Sequence, residues 1–474
     1  MKAITYELAV WISPEGDLAA PRGRIVSMKV IDASRAKPPP LSIAVIGAGI
    51  TGMSAAWLLA RRHRVTLYEK EGALGGHSNT VNVRVGGQSV AVDTGFIVYN
   101  EATYPNLTAL FGHLGVDTKP APMSFGVSVD RGAVEYSSAS PSAFLGGGRN
   151  LLRPRFWAMG RDILRFYGAA SRGALGEQTL GEYLDANDYS RAFQEDHLLP
   201  EAAAIWSSSA ADMRDYPLSA FVRFFRNHGL LKLAGRPPWR TVCGGSRSYV
   251  AALRADMDAE IVTNSDVVAV NPSYAGVEVR ERDGRVRRYD RVLIAAHADQ
   301  ARAMLPAGDA RRSLLADIPY TTNHAVLHTD TALMPTRRET WASWNYVGDR
   351  GAGAGCTVTY WMSRLQSLET SKPLFVTLNA ARQPAPDKVL WQGEYEHPSF
   401  SLQALDAQRS LWPTQGEGGV WLAGAWCGAG FHEDGLQAGL AAAEQMGGVR
   451  RPWRVEDESG RIYLSAPAPE RALA

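Results

Sequence analysis

Three cysteines in 474 residues, Cys243, Cys356 and Cys427, stand far apart and form no CxxC pair. No Cys/His ligand cluster surrounds them. The pattern argues against a disulfide framework and a zinc site, so no metal centre is expected, and it fits a reducing cytoplasm. Charge of one sign is equally scarce. Fifty basic against 48 acidic residues leave a net charge of +2, so no basic field exists to steer the chain onto nucleic acid. No apolar run is long enough to span a bilayer. The run Leu8 to Ile12 is too short for a signal-peptide core and is flanked by Glu7, Glu15 and Asp17. Residues 1–40 end in Lys37-Pro38-Pro39-Pro40 and lack sustained periodicity. They read as a disordered leader, or as an over-extended start with Met28 as the true one.

The remaining length allows one large composite unit or two to three domains with a real core. Ser42 to Ile46 is a short apolar run that reads as a buried strand. Gly47 to Gly52 breaks it, Met53 to Arg62 reads as a helix, and Val65 to Glu69 as a second strand. This is the opening of a βαβ unit. Residues 151 to 235 carry long apolar-periodic stretches that predict a helical insertion, ended by Gly235-Arg236-Pro237-Pro238. Ala259 to Val270 reads as strand, Val277 to Asp290 as a hairpin around Asp283-Gly284, and Arg291 to Ala296 as a buried strand. Gly419 to Trp426 reads as a final strand and Asp434 to Met446 as a helix. The tail after Arg450 is expected to be loosely attached.

Gly47-Ala48-Gly49-Ile50-Thr51-Gly52 fits G-x-G-x-x-G. Alone it means little; a strand before it, a helix after it and an acidic residue closing the next strand make it a dinucleotide fingerprint. Gly47 permits the tight turn, Gly49 lets the backbone approach a pyrophosphate, and Gly52 lets helix and strand pack closely. The helix N-terminus offers free N–H groups to phosphate. Glu69 stands where a carboxylate accepts hydrogen bonds from a ribose diol and repels a 2′-phosphate. The competing reading is a structural glycine turn in another α/β fold. The fingerprint by itself does not separate NAD from FAD.

Beyond Glu69 the chain reads Lys70-Glu71-Gly72-Ala73-Leu74-Gly75-Gly76-His77. This resembles the E-x-x-x-x-x-G-G-R extension of the flavin amine oxidase and phytoene desaturase superfamily, with His77 in place of the usual arginine. The resemblance runs from about residue 41 to 448. Asp93-Thr94-Gly95-Phe96 is similar to the segment beside the isoalloxazine ring, and Ser265 to Val268 to the strand entry that meets adenine, with Val267 in contact. Gly424 and the run Phe431-His432-Glu433-Asp434-Gly435-Leu436 are similar to the terminal flavin motif, whose helix N-terminus would face the N1/O2 edge. The resemblance implies noncovalent FAD, held by Gly47, Gly49, Ile50, Thr51, Gly52, Glu69, Lys70, Gly75, Gly76, His77, Thr94, Gly95, Phe96, Val267, Gly424, Asp434, Gly435 and Leu436. Trp239 to Arg247, Asn323 to Asp330, Val358 to Met362 and Gly428 to Gly435 resemble a bacterial subgroup of NAD/FAD-binding proteins, which usually has Tyr where Ala429 stands. Its members are similar to the desaturase of furan fatty acid biosynthesis, and others are encoded beside cyclopropane fatty acid synthases.

The implied fold is α/β: a discontinuous Rossmann-type FAD domain (41–105, 240–300 and 415–448) and a mixed sheet-and-helix substrate domain (106–239 and 301–414), with 449–474 as a tail. The implied function is FAD-dependent dehydrogenation or desaturation of a methyl-branched fatty-acyl chain by hydride transfer to flavin N5. Such chemistry needs a dry slot more than acid–base groups. Phe156, Trp157, Phe166, Phe221, Phe224 and Phe225 could line it, against the ordinary reading of core aromatics. His432 is the candidate base and Tyr360 the candidate residue over the ring; helix capping and sheet packing are their competing readings. His228 is a weaker candidate, and His324 and His328 read as structural. Cys427 stands near the flavin motif, but the superfamily's linking cysteine lies elsewhere. Gly146 to Gly148 and Gly351 to Gly355 read as loops, so no second nucleotide site is expected. Amine oxidation, or a noncatalytic flavoprotein binding a lipid or a partner enzyme of lipid modification, are the alternatives. A lipid substrate and the Trp/Phe-rich insertion together suggest a peripheral membrane contact.

Overall fold

The computed structural model describes residues 39–464, apart from 174, 233–234 and 351–356. The readings for the N-terminal leader and for Gly351 to Gly355 lie outside the described residues. Ser42–Ile46 and Arg64–Tyr68 run parallel, from Ser42 opposite Arg64 to Ile46 opposite Tyr68, with the helix Ile50–Ala60 as their crossover. Three more parallel strands complete a five-stranded sheet in the order Glu260–Val262, Arg64–Tyr68, Ser42–Ile46, Arg291–Ile294, Val420–Leu422. Its central strands are apolar runs buried on both faces, as a covered parallel sheet requires. All five come from residues 41–105, 240–300 and 415–448.

The helix His432–Gly447 packs against Ile50–Ala60 at very short range. A Cβ on Gly439 would stand 2.3 Å from the Thr51 carbonyl oxygen, so only glycine permits this approach. The strand expected over Ala259 to Val270 is two strands, Glu260–Val262 and Val267–Ser273. Between them Asn264 takes a positive φ of 52°, and the second strand leaves for an antiparallel ribbon with Gly276–Glu281 and Val286–Tyr289.

A seven-stranded sheet has the order Val389–Pro398, Tyr320–His328, Phe375–Leu378, Thr357–Trp361, Trp344–Gly348, Phe125–Val129, Val134–Ser137. Its register places Phe125, Trp344 and Tyr360 side by side on adjacent strands. The predicted helical insertion consists of Pro154–Arg172, Leu180–Ala186, Leu199–Trp206 and Leu218–Asn227, with a π turn at Gln194–Leu198. Gly146 to Gly148 lie in a turn.

Residues 451 to 464, expected to be loosely attached, are docked. Arg451 is buried, ion-pairs with Glu444 at 2.8 Å and donates to Asn106 Oδ1 at 2.9 Å. Arg461 pairs with Asp434 at 2.6 Å. Docking buries these guanidinium groups, and the ion pairs supply the partners that buried charges require.

Candidate active site

A cavity of about 1070 Å³ runs along the C-terminal edge of the parallel sheet, where strand order departs on either side of Ser42–Ile46. That is the crevice in which open α/β sheets bind ligands, and its volume is at the upper end for ligand sites.

The glycine turn is built as its spacing requires. Gly47 has φ +100°, donates to the Tyr68 carbonyl at 2.8 Å, and leaves no room for a Cβ, which would lie 2.5 Å from the Ala295 oxygen. Above Gly49 nothing comes within 4 Å of that position, so its backbone faces open cavity. The helix Ile50–Ala60 begins there without a side-chain cap, leaving its first N–H groups to a ligand. Glu69 lines the cavity; its Oε2 accepts from Ala48 N at 2.8 Å and its Oε1 from Glu71 N at 2.9 Å. Ser265 N donates to the Glu69 carbonyl at 2.9 Å, which brings Val267 to the same crevice.

Lys70, Gly75, Gly76, His77, Thr94, Gly95, Phe96, Val267, Gly424, Tyr360 and His432 all line the cavity together with Gly47, Gly49, Ile50, Thr51 and Glu69. Four expected residues do not. Gly52 is turned into the helix–strand contact, its Cβ position 1.8 Å from the Gly47 oxygen. Gly435 packs on Thr51, and Leu436 is fully buried. Asp434 folds back on its own loop, accepting from Ala429 N at 3.1 Å and Phe431 N at 2.7 Å while pairing with Arg461. These four support the wall from behind.

His77 Nε2 is buried with no hydrogen-bond partner among the described residues. Burial, with His397, His297 and His432 nearby, pushes its pKa down to about 3, so the ring is neutral. Thr94 Oγ1 lies 2.6 Å from the Tyr395 hydroxyl. Asp93, buried behind it, accepts from Thr80 Oγ1 at 2.5 Å, Ser246 N at 2.9 Å and Gln366 Nε2 at 2.7 Å. Asp93 thereby ties three distant segments to the floor of the site. His432 Nε2 is 2.7 Å from the Tyr249 hydroxyl and 3.3 Å from Ser78 Oγ, and burial pushes its pKa down to about 3. Tyr360 packs edge-on against Trp344 at 5.2 Å. The Cys427 thiol is buried and pushed up to about 12, which leaves it a poor nucleophile and suits a noncovalent cofactor.

The aromatic slot differs from expectation. Of the six aromatics proposed for it, only Phe224 lines the cavity. Phe156, Phe166, Phe221 and Phe225 are core, and Trp157 is 57% exposed. Helical spacing alone does not say which apolar face meets a ligand. His228 lines the cavity, stacked on Phe224 at 3.9 Å with its pKa well below normal through burial. His328 is bonded to Thr377 Oγ1 at 2.7 Å, and His324 pairs with Glu394 at 3.2 Å; neither lines the cavity. Sequence reasoning missed His297, Tyr395, His397 and Glu201. His297 directly follows the buried strand Arg291–Ile294, so the rule that ligands sit at carboxyl ends of strands pointed to it.

The residues present fit a flavin dinucleotide. The open Gly49 backbone and uncapped helix would receive the pyrophosphate, and the unpartnered His77 nitrogen lies in the same cavity.

The sequence matches the family described as flavin containing amine oxidoreductase over residues 50–447. Over 318 residues it is 26% identical to carotenoid phi-ring synthase of Streptomyces griseus, covering 62% of this chain and 59% of that one. The chain thus spans well under two thirds of that curated relative's length. Cyclohexylamine oxidase from Brevibacterium oxydans IH-35A shares the fold with a TM-score of 0.62 at 16% identity, over 86% of this chain and 99% of the other. The CLA-producing fatty acid isomerase from P. acnes does so with a TM-score of 0.61 at 14% identity, again over 86% and 99%. The chain belongs to the family of flavin-containing amine oxidoreductases, FAD-dependent oxidoreductases built on this α/β fold.

Proposed function

We propose that this protein is an FAD-dependent dehydrogenase or desaturase of fatty-acyl chains, with methyl-branched chains the leading substrate. The supporting observation is the apolar chamber continuous with the glycine turn, walled by Met123, Phe125, Ile205, Trp206, Phe224, Leu230, Trp344 and Leu378. Such walls exclude water and align a chain without acid–base groups. FAD, when bound, supplies the hydride acceptor. Gly47, Gly49, Ile50, Thr51, Glu69, Gly75, Gly76, His77, Val267 and Gly424 would hold it. Tyr360 and Trp344 form one wall. His432, with its Nε2 directed at Tyr249, acts in this reading as a positioning residue. The relative named for a carotenoid and the neighbour named for a fatty acid accord with an apolar substrate.

A peripheral contact with a lipid surface belongs to the same proposal. Leu151, Leu152, Trp157 and Leu164 are 43%, 90%, 57% and 59% exposed, and the exposed Arg149 and Arg161 stand among them. Apolar side chains interleaved with arginine suit an anionic headgroup layer. Among the described residues no helix is long and apolar enough to cross a membrane. A partner enzyme of lipid modification would supply substrate there.

Amine oxidation is the second reading, and one observation favours it: Glu201 is among the residues that line the chamber, and its carboxyl group could pair with an ammonium. Anaerobic reduction of the bound flavin by acyl lipids or by amines, followed at its visible band, tests both. A flavin that neither reduces would point to a noncatalytic role.

A further inference from the structure

Glu201 lies on the helix Leu199–Trp206, is only 6% exposed, and lines the chamber. Its Oε2 has no hydrogen-bond partner among the described residues. His197 Nε2 is 3.7 Å from that oxygen.

The protons of this cluster can be placed. The Tyr136 hydroxyl donates to the Asp196 carbonyl at 2.8 Å. A hydroxyl has one proton, so His197 Nδ1, 2.9 Å from the same oxygen, is the N–H donor to Tyr136. Burial holds His197 neutral, at about 3, so its Nε2 is bare and accepts from the Tyr167 hydroxyl at 3.2 Å. No proton of this chain of bonds points at Glu201. Arg236 also lines the cavity, and its guanidinium donates to the Lys232 carbonyl at 2.7 Å and the Leu230 carbonyl at 3.3 Å; it acts on Glu201 as a nearby positive charge and makes no hydrogen bond to Oε2. A buried carboxyl oxygen without a partner is costly and uncommon, and Glu201 is one of the residues that line the cavity.

We infer that Glu201 is the polar anchor of the chamber, binding a single hydrogen-bond donor, hydroxyl or ammonium, on an otherwise apolar ligand. The inference rests on the proposed apolar substrate but not on turnover. Burial, partly offset by Arg236, raises the Glu201 carboxyl to about 7, so near neutrality it can meet either kind of donor.

The test uses the flavin-loaded protein and three probes of equal chain length, octane, 1-octanol and n-octylamine, titrated through changes in the flavin visible spectrum. The wild type should bind at least one donor-bearing probe roughly tenfold more tightly than octane, the size of one buried hydrogen bond. Glu201→Leu should erase that advantage. Glu201→Gln, nearly isosteric, should keep it for the alcohol and lose it for the amine, which separates the two donors. Flavin content of each variant reports folding. Equal binding of all three probes by the wild type, or an unchanged advantage in Glu201→Leu, would overturn the inference. Failure of acyl lipids to reduce the flavin would defeat the acyl reading while leaving these ratios untouched.

Discussion

The Phe96 and His432 rings lie face to face, their centroids 3.9 Å apart and their planes 10° from parallel. The contact joins the segment Asp93-Thr94-Gly95-Phe96 to the start of the helix His432–Gly447, and the Tyr249 hydroxyl fixes the imidazole from behind. Removing a general base typically costs 10² to 10⁴ in rate. If His432 positions rather than titrates, His432→Asn should slow anaerobic flavin reduction less than about tenfold. It should leave the pH profile between 5 and 8 without a new or lost inflection. Stopped-flow reduction across that range checks both; a loss of three decades with a vanished inflection would make His432 the base.

The two helices that carry the glycine turn and the terminal flavin motif touch at Gly439 and Thr51. Gly439→Ala would place a methyl 2.3 Å from a backbone oxygen, which cannot move aside. Overpacking of this kind costs about 1–3 kcal/mol, and here it also separates the two helices of the proposed cofactor site. Purified Gly439→Ala should therefore carry less FAD per chain than wild type and melt earlier. Full flavin content would show that the contact is dispensable.

Arg461 is 11% exposed on its side chain, and its partner Asp434 is 1% exposed. Arg461→Met leaves a buried carboxylate alone with its loop N–H donors. Breaking one half of such a pair costs about 3–5 kcal/mol. Chemical denaturation should show a loss in that range, and the simultaneous change Asp434→Asn should recover part of it. No loss in Arg461→Met would mean that the tail does not hold the loop.

Burial keeps His77, His197 and His432 at about 3 and His397 at about 4. In the unfolded chain these rings titrate near 6.5. Between those values the unfolded state binds more protons. Stability is thus full above about pH 6.5 and falls as pH drops toward 4, by roughly 1.4 kcal/mol per pH unit per histidine. Thermal unfolding midpoints from pH 8 to 4 should show a steep acid-side decline. A flat curve there would contradict the buried neutral assignment.

The exposed Leu152 and Trp157 should carry the protein onto vesicles containing anionic lipid. Sedimentation with such vesicles should fall when both are changed to Ser and when salt is raised. Equal sedimentation of wild type and variant would place any lipid contact elsewhere.

Much of the glycine-turn side of the cavity was legible in the sequence, because its physics is local. Gly47, Gly49 and Gly52 sit at fixed spacing between strand and helix, and each has a separate steric task within six residues. The chamber was less legible because it is assembled from strand register and helix orientation. Phe125, Trp344 and Tyr360 become neighbours only when two strand pairings align them. Phe221 and Phe224 lie on one short helix, yet one is core and the other faces the cavity. Glu201 carries no motif at all; its significance depends on which protons its neighbours have already committed. The docking of Arg451 and Arg461 was hidden for the same reason, since their partners Glu444 and Asp434 lie on a helix that reads as self-sufficient.

The most direct test of the central claim is anaerobic mixing of the purified, FAD-loaded protein with methyl-branched fatty-acyl lipids and, separately, with amines. The account predicts that the lipids bleach the flavin band and yield an unsaturated chain while the amines do not. Bleaching by amines alone would contradict it and assign the protein to amine oxidation.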